Sequence, residues 1–142
     1  YWCWLIVGGH REVTGLGVVG LGSDLVEIER FRLALTRSIN LCERLFSEAE
    51  QNYANTHKDP TKSLAARFAA KEAVMKALGV GLGDFAFKDV EVVRTKNGAP
   101  SIALRGRAKT LANEKGVSSW HVSLTHTDTA ALAVVLALRG AN

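Results

Sequence analysis

The sequence predicts an α+β domain built on an antiparallel sheet, and three observations carry that prediction. The chain has 142 residues, which is room for one domain and not two. Helical patterns gather in the first half, above all one long run between Asp59-Pro60 and Gly79. The second half turns to strand patterns and contains Asn97-Gly98, a strong short-range hairpin signal. Helices followed by runs of strands give α+β with an antiparallel sheet.

The elements follow in order. Residues 1–17, YWCWLIVGGHREVTGLG, hold two of the three tryptophans and show no clear period. They read as an atypical N-terminal extension, either translated from upstream of a true start or contributing a genuine extra strand. The domain proper spans residues 18–139. Residues 18–22 read as a short buried strand that ends at Ser23-Asp24, and a basic helix follows over residues 29–37. Ser47-Glu48-Ala49-Glu50 is a capping box that starts a short helix carrying Tyr53. The longest helix runs over residues 60–78 and is closed by Gly79, where a left-handed residue is wanted. Residues 85–87 and 90–93 read as strands that pair across Asn97-Gly98 with residues 101–104. A helix over 107–115 stops at Gly116. Residues 121–126 alternate, turn near Thr127-Asp128 and return over 130–138.

Composition narrows the function classes. At 47% hydrophobic and 23% charged, with two prolines, the chain reads as an ordinary globular protein. A domain of this size buries roughly 70% of the surface its unfolded chain exposes, so it needs no staple. Cys3 and Cys42 are too few and too far apart for a disulfide framework or a zinc ribbon, and a reducing, cytoplasmic setting is expected. The apolar stretch at residues 1–7 is far too short to span a bilayer and has no basic segment before it, so no membrane role is expected. A net charge of +4 favours acidic partners such as nucleic acid, a phosphorylated cofactor or an acidic protein.

Several positions could carry chemistry. Gly15, Gly17 and Gly20 spell G-x-G-x-x-G, but the run leads into a strand instead of opening a helix, so it does not read as a pyrophosphate cradle. On the long helix, Leu64, Phe68, Met75 and Leu78 form an apolar stripe. Ala66, Ala70, Ala73 and Ala77 form a small-residue face that lets another element approach closely. The same helix carries Arg67, Lys71, Glu72 and Lys76. Glu72 and Lys76, at i and i+4, form either a surface ion pair worth a few tenths of a kcal/mol or a partly buried pair facing a charged ligand. Asp24 is either a helix N-cap or, with Glu72, one of two hard oxygen ligands of the kind magnesium takes. His126 is either a structural strand histidine or a phosphate contact. A Ser123–histidine nucleophile lacks an elbow and an orienting acid. A nucleic-acid module would want exposed aromatics and an RNP-like run, yet aromatics are 7% and no such run appears.

Four ordered blocks carry a resemblance. Residues 20–30 (GLGSDLVEIER), 46–53 (FSEAEQNY), 67–79 (RFAAKEAVMKALG) and 120–127 (WHVSLTHT) resemble the small, holo-[acyl-carrier-protein] synthase class of 4′-phosphopantetheinyl transferases, over about residues 18–138. The resemblance implies transfer of the 4′-phosphopantetheine arm of coenzyme A to a serine of apo acyl carrier protein, with release of adenosine 3′,5′-bisphosphate. It implies that Asp24 and Glu72 hold Mg²⁺, that Lys76 contacts the phosphates, and that His126 lines the coenzyme A site. Glu72, Lys76 and Asp24 form its catalytic set. Arg30 is implied to meet the acidic recognition helix of the carrier, with Arg67 and Lys71 as helpers to the ligand or to that surface. A homotrimer with active sites at subunit interfaces is implied too. The alanine face of the long helix and the strand-rich C-terminal half are the surfaces expected to pack it. A catalytically silent carrier-binding scaffold of the same fold is the competing reading, and Asp24, Glu72 and Lys76 speak against it. Residues 1–17 depart from the family pattern.

Overall fold

A computed structural model describes residues 17–140. Strand β1 (Gly17–Glu27) leads directly into helix α1 (Ile28–Arg37), followed by the short helices α2 (Leu41–Leu45) and α3 (Glu48–Ala54). Helix α4 (Pro60–Leu78) is the longest element. After a single 3-10 turn (Phe87–Asp89), β2 (Val90–Arg94), β3 (Pro100–Leu104), α5 (Gly106–Glu114), β4 (Ser119–His126) and β5 (Ala130–Arg139) complete the described chain. The expectations for residues 1–16 lie outside the described residues, and Gly17 opens β1 opposite Arg139.

The helix boundaries have local causes. Ser47 and Glu50 form the capping box of α3 in both directions, satisfying two N–H groups that the first turn leaves without partners. Asp59 caps α4 by accepting from the Thr61 N–H, Pro60 occupies its first turn, and Gly79 ends it at φ 66°. A left-handed residue there costs glycine nothing. The hairpin around Asn97-Gly98 forms as its sequence requires, Val90 opposite Leu104 and Arg94 opposite Pro100.

Among the described residues the strands make two antiparallel sheets, β1-β5-β4 and β2-β3. Helix α4 lies across the inner face of the three-stranded sheet. Alanines 131, 133 and 137 and Val135 of β5 are buried beneath it, while residues 132, 134, 136 and 138 face the other way. On the far side of α4, Phe68 stacks between Phe31 and Phe87 with centroid distances of 5.1 and 5.5 Å. Phe46 meets Phe31 edge-on at 6.2 Å. A helix covered on both flanks must be apolar nearly all round. Leu64, Phe68, Met75 and Leu78 are indeed all buried.

Three expectations are corrected. The first strand does not stop at Ser23-Asp24. β5 pairs with it from Gly17 to Glu27, so partner hydrogen bonds override two glycines that read as a stop. Residues 85–87 are not a strand, because the Asp89 N–H closes a turn on the Ala86 carbonyl. The alanine face of α4 is not available for subunit packing either, since it is consumed inside the chain. A β-carbon at Gly20 would lie 1.8 Å from the Ala77 carbonyl oxygen, and one at Gly22 would lie 1.8 Å from that of Ala73. Glycine on one side and alanine on the other let the two backbones touch.

Candidate functional site

The carboxylate pair follows from that contact. Asp24 lies two residues after Gly22, on the same face of β1 and opposite Ala133 of β5. It therefore points inward. Glu72 directly precedes Ala73 on α4. Lys76, one turn further on, donates to Asp24 Oδ1 at 3.1 Å and to the Ser23 carbonyl at 3.0 Å. Asp24 does not cap α1, whose N-cap is Glu27, and Glu72 is no surface group, being 1% exposed.

These acids are incompletely satisfied. Both carboxylate oxygens of Glu72 and Oδ2 of Asp24 are buried without a hydrogen-bond partner in the chain. Burial pushes the Glu72 carboxyl up to about 7, reinforced by the Asp24 charge and opposed by Lys76. Burial also raises Asp24, against the hydrogen bond and charge of Lys76. An orphaned buried carboxylate oxygen costs on the order of 1–3 kcal/mol or more. Three in one place are a site that a cation would complete.

The donor set fits a hard divalent ion. Magnesium is held through one or two carboxylates, with waters and substrate phosphates filling its octahedron. Asp24 and Glu72 supply those carboxylates. No group of three His, Cys, Asp or Glu suited to a metal occurs among the described residues.

The other expected site residues lie apart from this pair. His126 ends β4, exposed, opposite Ala131, which is itself opposite Val26. It shares the inner side of the sheet with Asp24 but sits two strands across and two residues along, about 12 Å away by sheet spacing. One chain does not bring them together. His121 and Ser123 face outward, beside Leu136 and Val134. Arg30 is exposed on α1, 3.8 Å from Glu27. On the same outer face lie the exposed Leu33 and Arg37, at i+3 and i+7.

Arg67 and Lys71 behave differently from surface helpers. Arg67 is 5% exposed, donates to the Ser63 hydroxyl at 2.7 Å, and lies 4.4 Å from the centroid of the Tyr53 ring. Its Nε has no hydrogen-bond partner, and burial pulls its pKa down. Arg94 stacks on the same ring at 4.8 Å and donates to the Tyr53 hydroxyl. Lys71 is fully buried and reaches no surface, because its ammonium is taken up by Glu50 and two carbonyls. Sequence reading also misses Arg32, which donates twice to the α4 cap Asp59 at 3.0 and 2.8 Å and once to Thr61 at 3.0 Å. No local pattern links residues 27 positions apart.

Fold and site together define an α+β domain with a buried, incompletely satisfied carboxylate pair beside a lysine. The chain belongs to the 4′-phosphopantetheinyl transferase superfamily, whose family model matches residues 20–135. It is 47% identical over 115 residues to the holo-[acyl-carrier-protein] synthase of Moorella thermoacetica, covering 81% of this chain and 90% of that protein. Against the holo-[acyl-carrier-protein] synthase of Streptomyces avermitilis it is 46% identical over 122 residues, 86% of this chain and 98% of that one. The crystal structure of a holo-(acyl-carrier-protein) synthase from Bacillus anthracis in complex with CoA (3′,5′-ADP) superposes with a TM-score of 0.72 at 31% identity. That match covers 89% of this chain and all of the other. No helix among the described residues is long and apolar enough to cross a membrane.

Proposed function

We propose that this protein transfers 4′-phosphopantetheine from coenzyme A to a serine of apo acyl carrier protein in the cytoplasm. The transfer requires Mg²⁺ and releases adenosine 3′,5′-bisphosphate. The observation that carries the reading is the buried Asp24–Glu72 pair, with three orphaned oxygens beside the Lys76 ammonium. The names of its relatives and the coenzyme A complex of one of them support it.

Asp24 and Glu72 would hold the metal. The chemistry a metal held there would supply is neutralisation of charge on the coenzyme A pyrophosphate. Lys76 adds a second positive charge within reach of those phosphates. The serine hydroxyl needs a base, for which Glu72 or a water at the metal is the candidate. The serine loses its proton to the base and its oxygen bonds to the phosphorus of the phosphopantetheine arm, while the bond from that phosphorus to the bridging oxygen breaks and that oxygen leaves with adenosine 3′,5′-bisphosphate.

The assembly we propose is a homotrimer. The outer sheet face carries Val18, Leu21 and Leu25 of β1 beside Leu138, Leu136 and Leu132 of β5, with Val134 between. Leu21 and Leu25 are 62% and 66% exposed. A contiguous apolar face of this kind marks an interface. Packing it against neighbouring copies would allow His126 of one subunit to serve coenzyme A bound at the carboxylates of another, with Arg67 assisting the nucleotide. Arg30, Leu33 and Arg37 on α1 form a basic and apolar strip suited to an acidic amphipathic helix of the carrier.

The test is the intact mass of apo acyl carrier protein incubated with this protein, coenzyme A and Mg²⁺, with and without chelator. A gain of one phosphopantetheine that the chelator abolishes is expected. No gain with several carriers, from folded protein, would overturn the reading.

A further inference from the structure

Lys71 and Glu72 are neighbours on α4 with opposite circumstances. The Lys71 ammonium has three N–H donors and three acceptors, Glu50 Oε1 at 2.7 Å, the Phe87 carbonyl at 3.2 Å and the Val90 carbonyl at 2.5 Å. Glu50 in turn accepts from the Ser47 N–H at 3.0 Å and the Val92 N–H at 3.2 Å. Both side chains of the pair are fully buried. One saturated ion pair thus ties the cap of α3, the Phe87 turn and β2 to α4, one residue before Glu72.

On its other flank α4 rests on Gly20 and Gly22 through Ala77 and Ala73. That contact is close but presents no strand side chain at Gly20 and Gly22, and the further tie from Lys76 to Asp24 Oδ1 and the Ser23 carbonyl runs through a long, flexible side chain at the site itself. Side-chain tips lie about 5–6 Å from a helix axis, so a roll of about 5° displaces the Glu72 carboxylate by about 0.5 Å. That displacement is already the tolerance of a preorganised site. A buried ion pair is weak evidence for stability, since an apolar pair of similar volume is often as stable. Stability therefore does not by itself account for it.

We propose that Lys71 and Glu50 are positioning residues that fix the axial roll of α4 and so hold Glu72 opposite Asp24 for the metal. They touch neither metal nor substrate. The proposal rests on the metal site of the preceding reading and not on the identity of the group transferred.

The test uses the intact protein, with Mn²⁺ as a spectroscopic stand-in for Mg²⁺ and its affinity read by electron paramagnetic resonance. The double variant Glu50→Gln/Lys71→Met removes both charges, keeps the volumes and leaves an amide oxygen for the Ser47 N–H. Because it leaves the Phe87 and Val90 carbonyls and one of the two N–H groups served by Glu50 without partners, it is expected to melt below the wild-type temperature while remaining folded, and to bind Mn²⁺ at least tenfold more weakly. Unchanged Mn²⁺ affinity in the folded double variant overturns the proposal. Should the double variant not fold, Glu50→Gln alone decides, with a two- to fivefold weakening expected and no change overturning it. Wild-type protein that binds no Mn²⁺ overturns this proposal together with the metal site. Wild-type protein that binds Mn²⁺ but modifies no carrier overturns only the transferase reading.

Discussion

Gly22 and Ala73 are in backbone contact, with a β-carbon at Gly22 placed 1.8 Å from the Ala73 carbonyl oxygen. Asp24 follows Gly22 on the same strand face and Glu72 precedes Ala73 on the helix, so this contact sets how closely the two backbones that carry the carboxylates approach.

Gly22→Ala should therefore damage stability and site together. The methyl group meets a helix backbone and not a flexible side chain, and overpacking of this kind costs roughly 1–3 kcal/mol or more. Gly17→Ala is the control, because nothing lies within 4 Å of its β-carbon. Urea unfolding should show a loss of about 3 kcal/mol for Gly22→Ala and under 0.5 kcal/mol for Gly17→Ala. Equal stabilities would refute the contact.

Glu72→Gln should abolish transfer while stabilising the metal-free fold above neutral pH. Glu72 titrates near 7 in the folded chain and near 4.5 when unfolded. Between those values the folded state binds the extra proton, so the contribution of Glu72 to stability is greatest below about pH 4.5 and is lost as pH rises through 7. The total is about 3 kcal/mol at 1.36 kcal/mol per unit. Thermal melts at pH 5 and pH 8 in chelator should show this loss in wild type and its absence in the variant. Mg²⁺ should raise the wild-type melting temperature more at pH 8 than at pH 5, since proton and metal compete.

Leu21→Glu places a charge in the middle of the outer sheet face. Wild-type protein is expected to run as a trimer by light scattering after size exclusion, and the variant as a folded monomer without transfer activity. A fully active monomeric variant would show that one chain completes its own site.

Arg30→Glu should raise the KM for carrier at least tenfold and leave the KM for coenzyme A within twofold. The same wild-type KM for carrier should rise steeply between low and physiological salt, because docking on exposed charges is screened. An effect confined to coenzyme A would move Arg30 out of the docking face.

What was legible in the sequence was local. The Ser47–Glu50 box, the Asp59-Pro60 start, the Gly79 stop and the Asn97-Gly98 hairpin are short-range hydrogen-bond and dihedral requirements, and each forms as written. The alanine spacing on α4 correctly announced a close neighbour but could not name it. The glycines of β1 looked like a strand's end because glycine is a poor strand former. In the fold their missing side chains are what seat the helix.

The residue types of the site, two acids and a lysine in family blocks, were determined by the sequence alone, and so was the order of elements that carries them. Tertiary structure decided which of the charges on α4 lose water and which find partners. Lys71 is saturated by groups from residues 50, 87 and 90, and Glu72 beside it is left with none. Helical periodicity places both on the same rod, but desolvation depends on what packs against each face, and those neighbours come from remote stretches of chain.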